Sequence, residues 1–203
     1  VLKMTDFLIK KFVKNSENVS DTHVRQKYGE FSGFVGIFCN LMLFTGKFFA
    51  GIITSSVSIT ADAFNNLSDA GSSIVTLMGF KLAGKPADNE HPFGHGRIEY
   101  LAGLVVSVAI LLMGYEILRS SIMKIFKPQD MEFSIISLII LIASIMVKMW
   151  MAVFNNRIAK AINSAANKAT ATDSLSDCIA TSAALISLVV FAVFKVNIDG
   201  VAG

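Results

Sequence analysis

The sequence predicts an all-α, polytopic transmembrane helix bundle, and three observations predict it. The chain of 203 residues is 53% hydrophobic with only three prolines, and its mean hydropathy is +0.60. A soluble core of this length could not hide so much apolar surface, whereas five spans of about 20 residues each use about half of the chain. Apolar segments of that kind lie near residues 31–53, 57–83, 98–118, 133–154 and 165–194. Two of them carry related acidic strings, Asn65-Asn66-Leu67-Ser68-Asp69 and Asp173-Ser174-Leu175-Ser176-Asp177.

Residues 1–30 form a basic arm with Lys3, Lys10, Lys11, Lys14, Arg25 and Lys27 around two short apolar stretches, Phe7-Leu8-Ile9 and Phe12-Val13. It is either an interfacial helix on an anionic leaflet or a solvated tail. The transmembrane part is expected over 31–203. There is no cleavable signal peptide pattern, because the first long apolar run starts near Phe31 and further spans follow it. Span one holds Lys47, which either pairs with a carboxylate or snorkels. Spans two and five are rich in Ser, Thr, Asn and Asp, so they are expected to face each other or water rather than lipid all round. Span four is the cleanest, interrupted by Lys148 near one end, where a long stem is expected to snorkel. Cys39 and Cys178 lack any Cys-x-x-Cys spacing and read as small buried hydrophobes, with Cys178 open as a soft accessory ligand beside Asp177. Gly33, Gly36, Gly103 and Gly114 permit close helix packing.

Basic residues orient the bundle. The arm, the connection with Lys81, Lys85 and Arg97, and the connection with Arg157, Lys160 and Lys168 all fall on one side. The other side has none at 54–56, then Arg119, Lys124 and Lys127 partly offset by Asp130 and Glu132, then Lys195. The bias toward positive inner loops places the amino terminus in the cytoplasm of a multi-pass protein, expected in the cell membrane. The final residues 197–203 resemble a turn leading into another small-residue helix, so the chain reads as truncated, either a fragment or an engineered piece.

An ionised carboxylate at the centre of a membrane helix costs about 2.5 to 3.5 kcal/mol, so three of them need an offsetting gain, and a bound divalent cation supplies one. Residues four apart share one helix face about 6 Å apart along the axis, so Asn65 with Asp69, and Asp173 with Asp177, each offer two oxygens to a facing helix. Both pairs are expected near the midplane, where alternating-access transporters keep their sites. The plainer alternative is polar glue between helices. Three carboxylates and one amide form a hard oxygen set that suits Mn²⁺ first, tolerates Fe²⁺, and favours Zn²⁺ or Cu⁺ less. Asp62, on nearly the same face, is either an outward vestibule ligand or a residue that caps the helix or meets interfacial water.

A second constellation lies in the segment Pro86 to Arg97. Asp88, His91 and His95 have spacings compatible with one metal ion, with Gly94 and Gly96 letting the loop fold around it. The alternative is a loop held by caps and turns with backbone-bonded histidines. Glu90 faces the same choice, and His23 reads as surface. Arg97 and Glu99 are either an ion pair bracing a gate or, for Arg97, a positive-side anchor.

These motifs, in this order, resemble the cation diffusion facilitator family of divalent-metal/proton antiporters. The resemblance runs from about residue 24 to the end, through Ser55 to Ala63, the Asn-x-x-x-Asp of span two, the loop from Asp88 to Glu99 and the Asp-x-x-x-Asp of span five. It implies an intramembrane metal site at Asn65, Asp69, Asp173 and Asp177, and a loop site at Asp88, His91 and His95. The asparagine in span two with aspartate first in span five resembles the manganese-associated branch; zinc-transporting members place histidine in one of these helices. The resemblance also implies six spans and a cytoplasmic ferredoxin-like domain that helps homodimerisation; the sixth span and that domain are absent from this sequence.

The expected activity is therefore Mn²⁺/H⁺ antiport by alternating access, with Fe²⁺, Zn²⁺, Co²⁺ or Cd²⁺ efflux as alternatives. The ion is cargo; no prosthetic group, enzyme activity or nucleic-acid partner is expected. An intramembrane aspartyl protease would carry Gly-x-Gly-Asp, which neither aspartate helix contains. A metal-binding membrane fragment that does not transport is the remaining alternative.

Overall fold

The computed structural model describes residues 2–13, 15–54, 57–88, 91–126 and 134–194. Six helices account for the described structure: α1 (Leu2–Phe12), α2 (Thr22–Thr54), α3 (Val57–Ala83), α4 (Ile98–Phe126), α5 (Ile135–Ile162) and α6 (Ala165–Phe194). Ser55, Ser56, Glu90, Lys127, Asp130, Glu132, Lys195 and the segment 197–203 lie outside the described residues.

Among the described residues, four helices are long and apolar enough to cross a membrane: α2 over Thr22–Ile52, α4 over Ile98–Glu116, and α5 and α6 along their lengths. The chain is thus an integral, multi-pass membrane protein. The second predicted span, α3, does not meet that apolar criterion, and its polarity is one-sided. Asn66, Asp69, Ser73 and Thr76 are buried, whereas Phe64, Leu67, Ile74 and Met78 are exposed. A helix of its 27 residues is about 40 Å long, enough to span, with its polar stripe turned inward. Two of its hydroxyls are satisfied locally, Ser73 donating to the Asp69 carbonyl at 3.0 Å and Thr76 to that of Ser72 at 3.1 Å, so these two need no partner in lipid.

The helices extend beyond their apolar windows. α2 begins at Thr22 rather than near Phe31, because Asp21 Oδ1 accepts from the His23 N–H at 2.8 Å and caps the helix in its polar part. α5 runs to Ile162 rather than 154. α2 packs most extensively on α3, and α5 on α6; α4 bridges α3 and α6, and α2 also meets α5. Glycine permits two of these approaches. A Cβ on Gly33 would stand 2.9 Å from the Leu77 Cα, and one on Gly103 would stand 3.1 Å from the Ala166 backbone nitrogen. Around Gly114, in contrast, there is open space.

The basic arm is neither a solvated tail nor separate from the bundle. Thr5, Ile9 and Val13 are buried at helical spacing, and Ile9 and Val13 join Val24, Tyr28, Phe80, Phe154, Ile158, Ile162 and Ala166 in the main apolar cluster. The Tyr28 hydroxyl donates to the Ser16 carbonyl at 2.9 Å and ties the α1–α2 connection down. Phe7 stays exposed on the other side of the arm, while Phe12, also exposed, stacks on Phe31 of α2 with ring centroids 5.2 Å apart. Cys39 and Cys178 are free and buried.

α5 and α6 form a tight antiparallel hairpin. Asn163 closes α5 in the left-handed region (φ 49°, ψ 51°), which its short polar side chain tolerates. Ser164 then caps α6, its Oγ accepting from the Asn167 N–H at 3.2 Å. Deeper in, Ser32 Oγ of α2 lies 2.7 Å from Asn155 Oδ1 of α5 and 2.6 Å from Asn167 Oδ1 of α6. One hydroxyl proton cannot serve both carbonyls, so one of the two amides presents its NH₂ to Ser32. This polar knot fixes α2, α5 and α6 together at one end of the bundle.

Candidate metal centre

Folding brings Asp69 of α3 together with Asp173 and Asp177 of α6. Each offers one carboxylate oxygen to a set in which all lie within 4.8 Å of one another. All three are buried, at 2%, 6% and 6% exposure. α3 and α6 touch only briefly, with Thr76 Oγ1 and Thr170 Oγ1 3.4 Å apart, so the acidic side chains meet between helices that are not packed tightly along their length. Asn65 sits one turn before Asp69 on α3 and is half-buried. That spacing places it on the Asp69 side of the helix.

The sequence reading missed Lys148. It does not snorkel: its side chain is 3% exposed and its ammonium bridges two helices, 2.6 Å from Asp69 Oδ2 and 2.5 Å from Asp177 Oδ2. The physical reason is that α5 continues for two further turns past the predicted span, which leaves Lys148 mid-helix with no water within reach of its stem. A buried ammonium needs carboxylate partners, and these are the available ones. Asp69 Oδ1 has no hydrogen-bond partner among the described residues, so part of this carboxylate remains uncommitted inside the bundle.

Two other charged residues take partners on α2. Asp62 is held by Lys47, Nζ to Oδ2 at 2.8 Å, with Lys47 itself buried, so Lys47 pairs rather than snorkels. Glu99 is paired with Arg25 of α2, at 2.7 Å, and not with Arg97. Arg97 lies in the turn just before α4, and the Glu99 carboxylate is bound by Arg25 instead. What ties α4 to α2 is the Arg25–Glu99 bridge, whose partners are too distant in sequence to be read from spacing.

The loop cluster forms as well. His91 Nδ1 lies 3.2 Å from Asp88 Oδ1 and His95 Nε2 lies 3.6 Å from Asp88 Oδ2, with the imidazole centroids 4.5 Å apart. These three side chains could hold one ion between them. The features of a self-satisfied loop are present too. The His91 N–H donates to Asp88 Oδ1 at 2.7 Å and thereby holds that carboxyl below its ordinary range. His95 Nδ1 lies 3.2 Å from the Pro86 carbonyl, and Gly94 takes a positive φ of 76° that lets the loop turn back. His23 lies on the surface near the start of α2.

A buried acidic set shared by two membrane helices, and an aspartate–histidine loop outside them, is joined by a match over most of the chain: residues 33–203 correspond to the cation efflux transmembrane domain. The chain belongs to the cation efflux family. Among the relatives of this member, the manganese efflux system protein MneS of Bacillus subtilis is 31% identical over 163 residues, covering 80% of this chain and 56% of MneS. The cation-efflux pump FieF of Cronobacter sakazakii is 29% identical over 142 residues, 70% of this chain and 47% of FieF. The magnetosome protein MamM of Magnetospirillum gryphiswaldense is 39% identical over 84 residues, 41% of this chain and 26% of MamM. The chain spans about half the length of the first two.

Proposed function

We propose that this chain is the ion-carrying membrane part of a divalent cation efflux transporter that exports Mn²⁺ in exchange for protons. The observation that carries this reading is the convergence of Asp69, Asp173 and Asp177 in the bundle interior, with Asn65 one turn from Asp69. Carboxylate and amide oxygens are hard donors that suit Mn²⁺ better than Zn²⁺. The likeness to a manganese efflux system protein points the same way. Protons and a divalent ion compete for the same carboxylate oxygens, so loading one excludes the other, and alternating exposure of the site would turn that exclusion into exchange.

In this reading the amino terminus is cytoplasmic, the protein sits in the cell membrane and works as a homodimer, and Asp88, His91 and His95 form an accessory ion site at the cytoplasmic surface. Fe²⁺ or Zn²⁺ export by the same helices is the second choice of cargo.

The test is Mn²⁺ and Zn²⁺ uptake into proteoliposomes under an imposed pH gradient, comparing the chain with its Asn65→His variant. Mn²⁺ flux that gives way to Zn²⁺ in the variant is expected. Binding without flux of either ion would reduce the chain to a metal-binding membrane protein.

A further inference from the structure

We propose that the Lys148 ammonium is a tethered occupant of the cation site, displaced from between its two carboxylates by each divalent ion that binds. The proposal rests on the reading of Asp69, Asp173 and Asp177 as the ion's ligands. It follows from where Nζ lies. The two oxygens it bridges come from different helices, Asp69 Oδ2 on α3 and Asp177 Oδ2 on α6. The point between them is also where an ion shared by α3 and α6 would sit.

First-row divalent ions hold carboxylate oxygens at about 2.0–2.2 Å, closer than an ammonium does. An ion and Nζ sharing the same two oxygens would therefore be in contact, and two cations in contact repel strongly where water is excluded. One must leave. Lys148 can do so without moving α5, because its four-carbon stem is flexible and its ammonium is a compact charge with no fixed plane. Asp69 Oδ1, buried and unpartnered, gives an arriving ion one oxygen that the ammonium does not already hold.

The charge balance gives the displacement a purpose. With all three carboxylates ionised, the set and its one ammonium carry two negative charges, the complement of one divalent cation. If Lys148 leaves the bridging position but stays in the pocket, a divalent ion makes the set neutral and a monovalent one does not. Lys148 then weakens the binding of every cation that enters the site.

The experiment measures Mn²⁺ binding to the full chain in detergent at fixed pH, from the free-Mn²⁺ electron paramagnetic resonance signal, for the parent, Lys148→Ala, Lys148→Arg and Asp177→Ala. Lys148→Ala is expected to bind Mn²⁺ about tenfold more tightly or better. Millimolar methylammonium, which fits the space of the deleted amine, is expected to weaken Mn²⁺ binding to Lys148→Ala and to leave the parent unaffected. Unchanged or weaker Mn²⁺ binding by Lys148→Ala, or indifference of that variant to methylammonium, would overturn the proposal. Should Lys148→Ala fail to fold, Lys148→Arg decides: its planar fork grips two carboxylates harder, so binding weaker than the parent supports displacement and binding as tight or tighter overturns it. Parent-like binding by Asp177→Ala would instead overturn the ligand assignment beneath the proposal, whereas its loss beside an unchanged Lys148→Ala defeats the proposal alone.

Discussion

The two clusters of ligand-type side chains, one of an aspartate and two histidines and one of three aspartates, live in opposite circumstances. In the loop, Asp88, His91 and His95 come from one short stretch, are reached by solvent, and satisfy one another and the neighbouring backbone. In the bundle, Asp69, Asp173 and Asp177 come from two helices far apart in sequence and are closed off from water. Local turns cannot neutralise them; the counter-charge comes from a third helix, through Lys148. Where charge is gathered by tertiary folding, ion binding and fold stability act on the same atoms. Where it is gathered by a turn, they are separable.

The largest effect that would break this contrast is on Asp177. Replacing it by alanine removes one oxygen ligand and one of the two partners of a buried ammonium, so Mn²⁺ flux in proteoliposomes should fall to background and stability should drop by about 3 kcal/mol. Thermal unfolding followed by circular dichroism beside the flux assay checks both. Full flux in this variant would end the ligand assignment. A smaller effect is expected at Arg25. Its loss strands the Glu99 carboxylate, which is 4% exposed, and should cost about 2 kcal/mol, visible as a lowered unfolding temperature. The smallest effect is expected in the loop. His91→Ala removes a solvent-screened surface contact, so the unfolding temperature should barely move, while equilibrium dialysis should show less Mn²⁺ bound per chain. A large loss of stability there would show that the loop is not separable from the bundle.

Much of this was readable from sequence where a local rule applies. Helix α6 begins where its apolar pattern does, at Ala165. The one-turn spacing of Asp173 and Asp177 puts both on a face toward α3. The loop's three- and four-residue spacings also bring Asp88, His91 and His95 together. What was not readable depended on where a helix stops or on a distant partner. Lys148 resembled an end residue because hydropathy reports where a helix becomes polar, not where it ends. A signal was nevertheless present: Lys148 precedes Asn163 by almost the same number of residues as Asp177 follows it. In an antiparallel hairpin such residues lie at equal depth. The Arg25–Glu99 bridge left no such mark, since neither periodicity nor a shared turn relates its partners.

The hairpin at Asn163 and Ser164 therefore acts as a length gauge for the whole bundle interior. Each residue added between α5 and α6, or within either helix above the turn, would turn one side chain by about 100° and slide it by about 1.5 Å against the other. An ammonium on a four-carbon tether can follow such a slide, but it cannot follow a rotation to the opposite face. Substitutions in this turn should be absorbed far more readily than insertions or deletions, and the distance from turn to lysine should be the quantity that change in this part of the chain leaves alone.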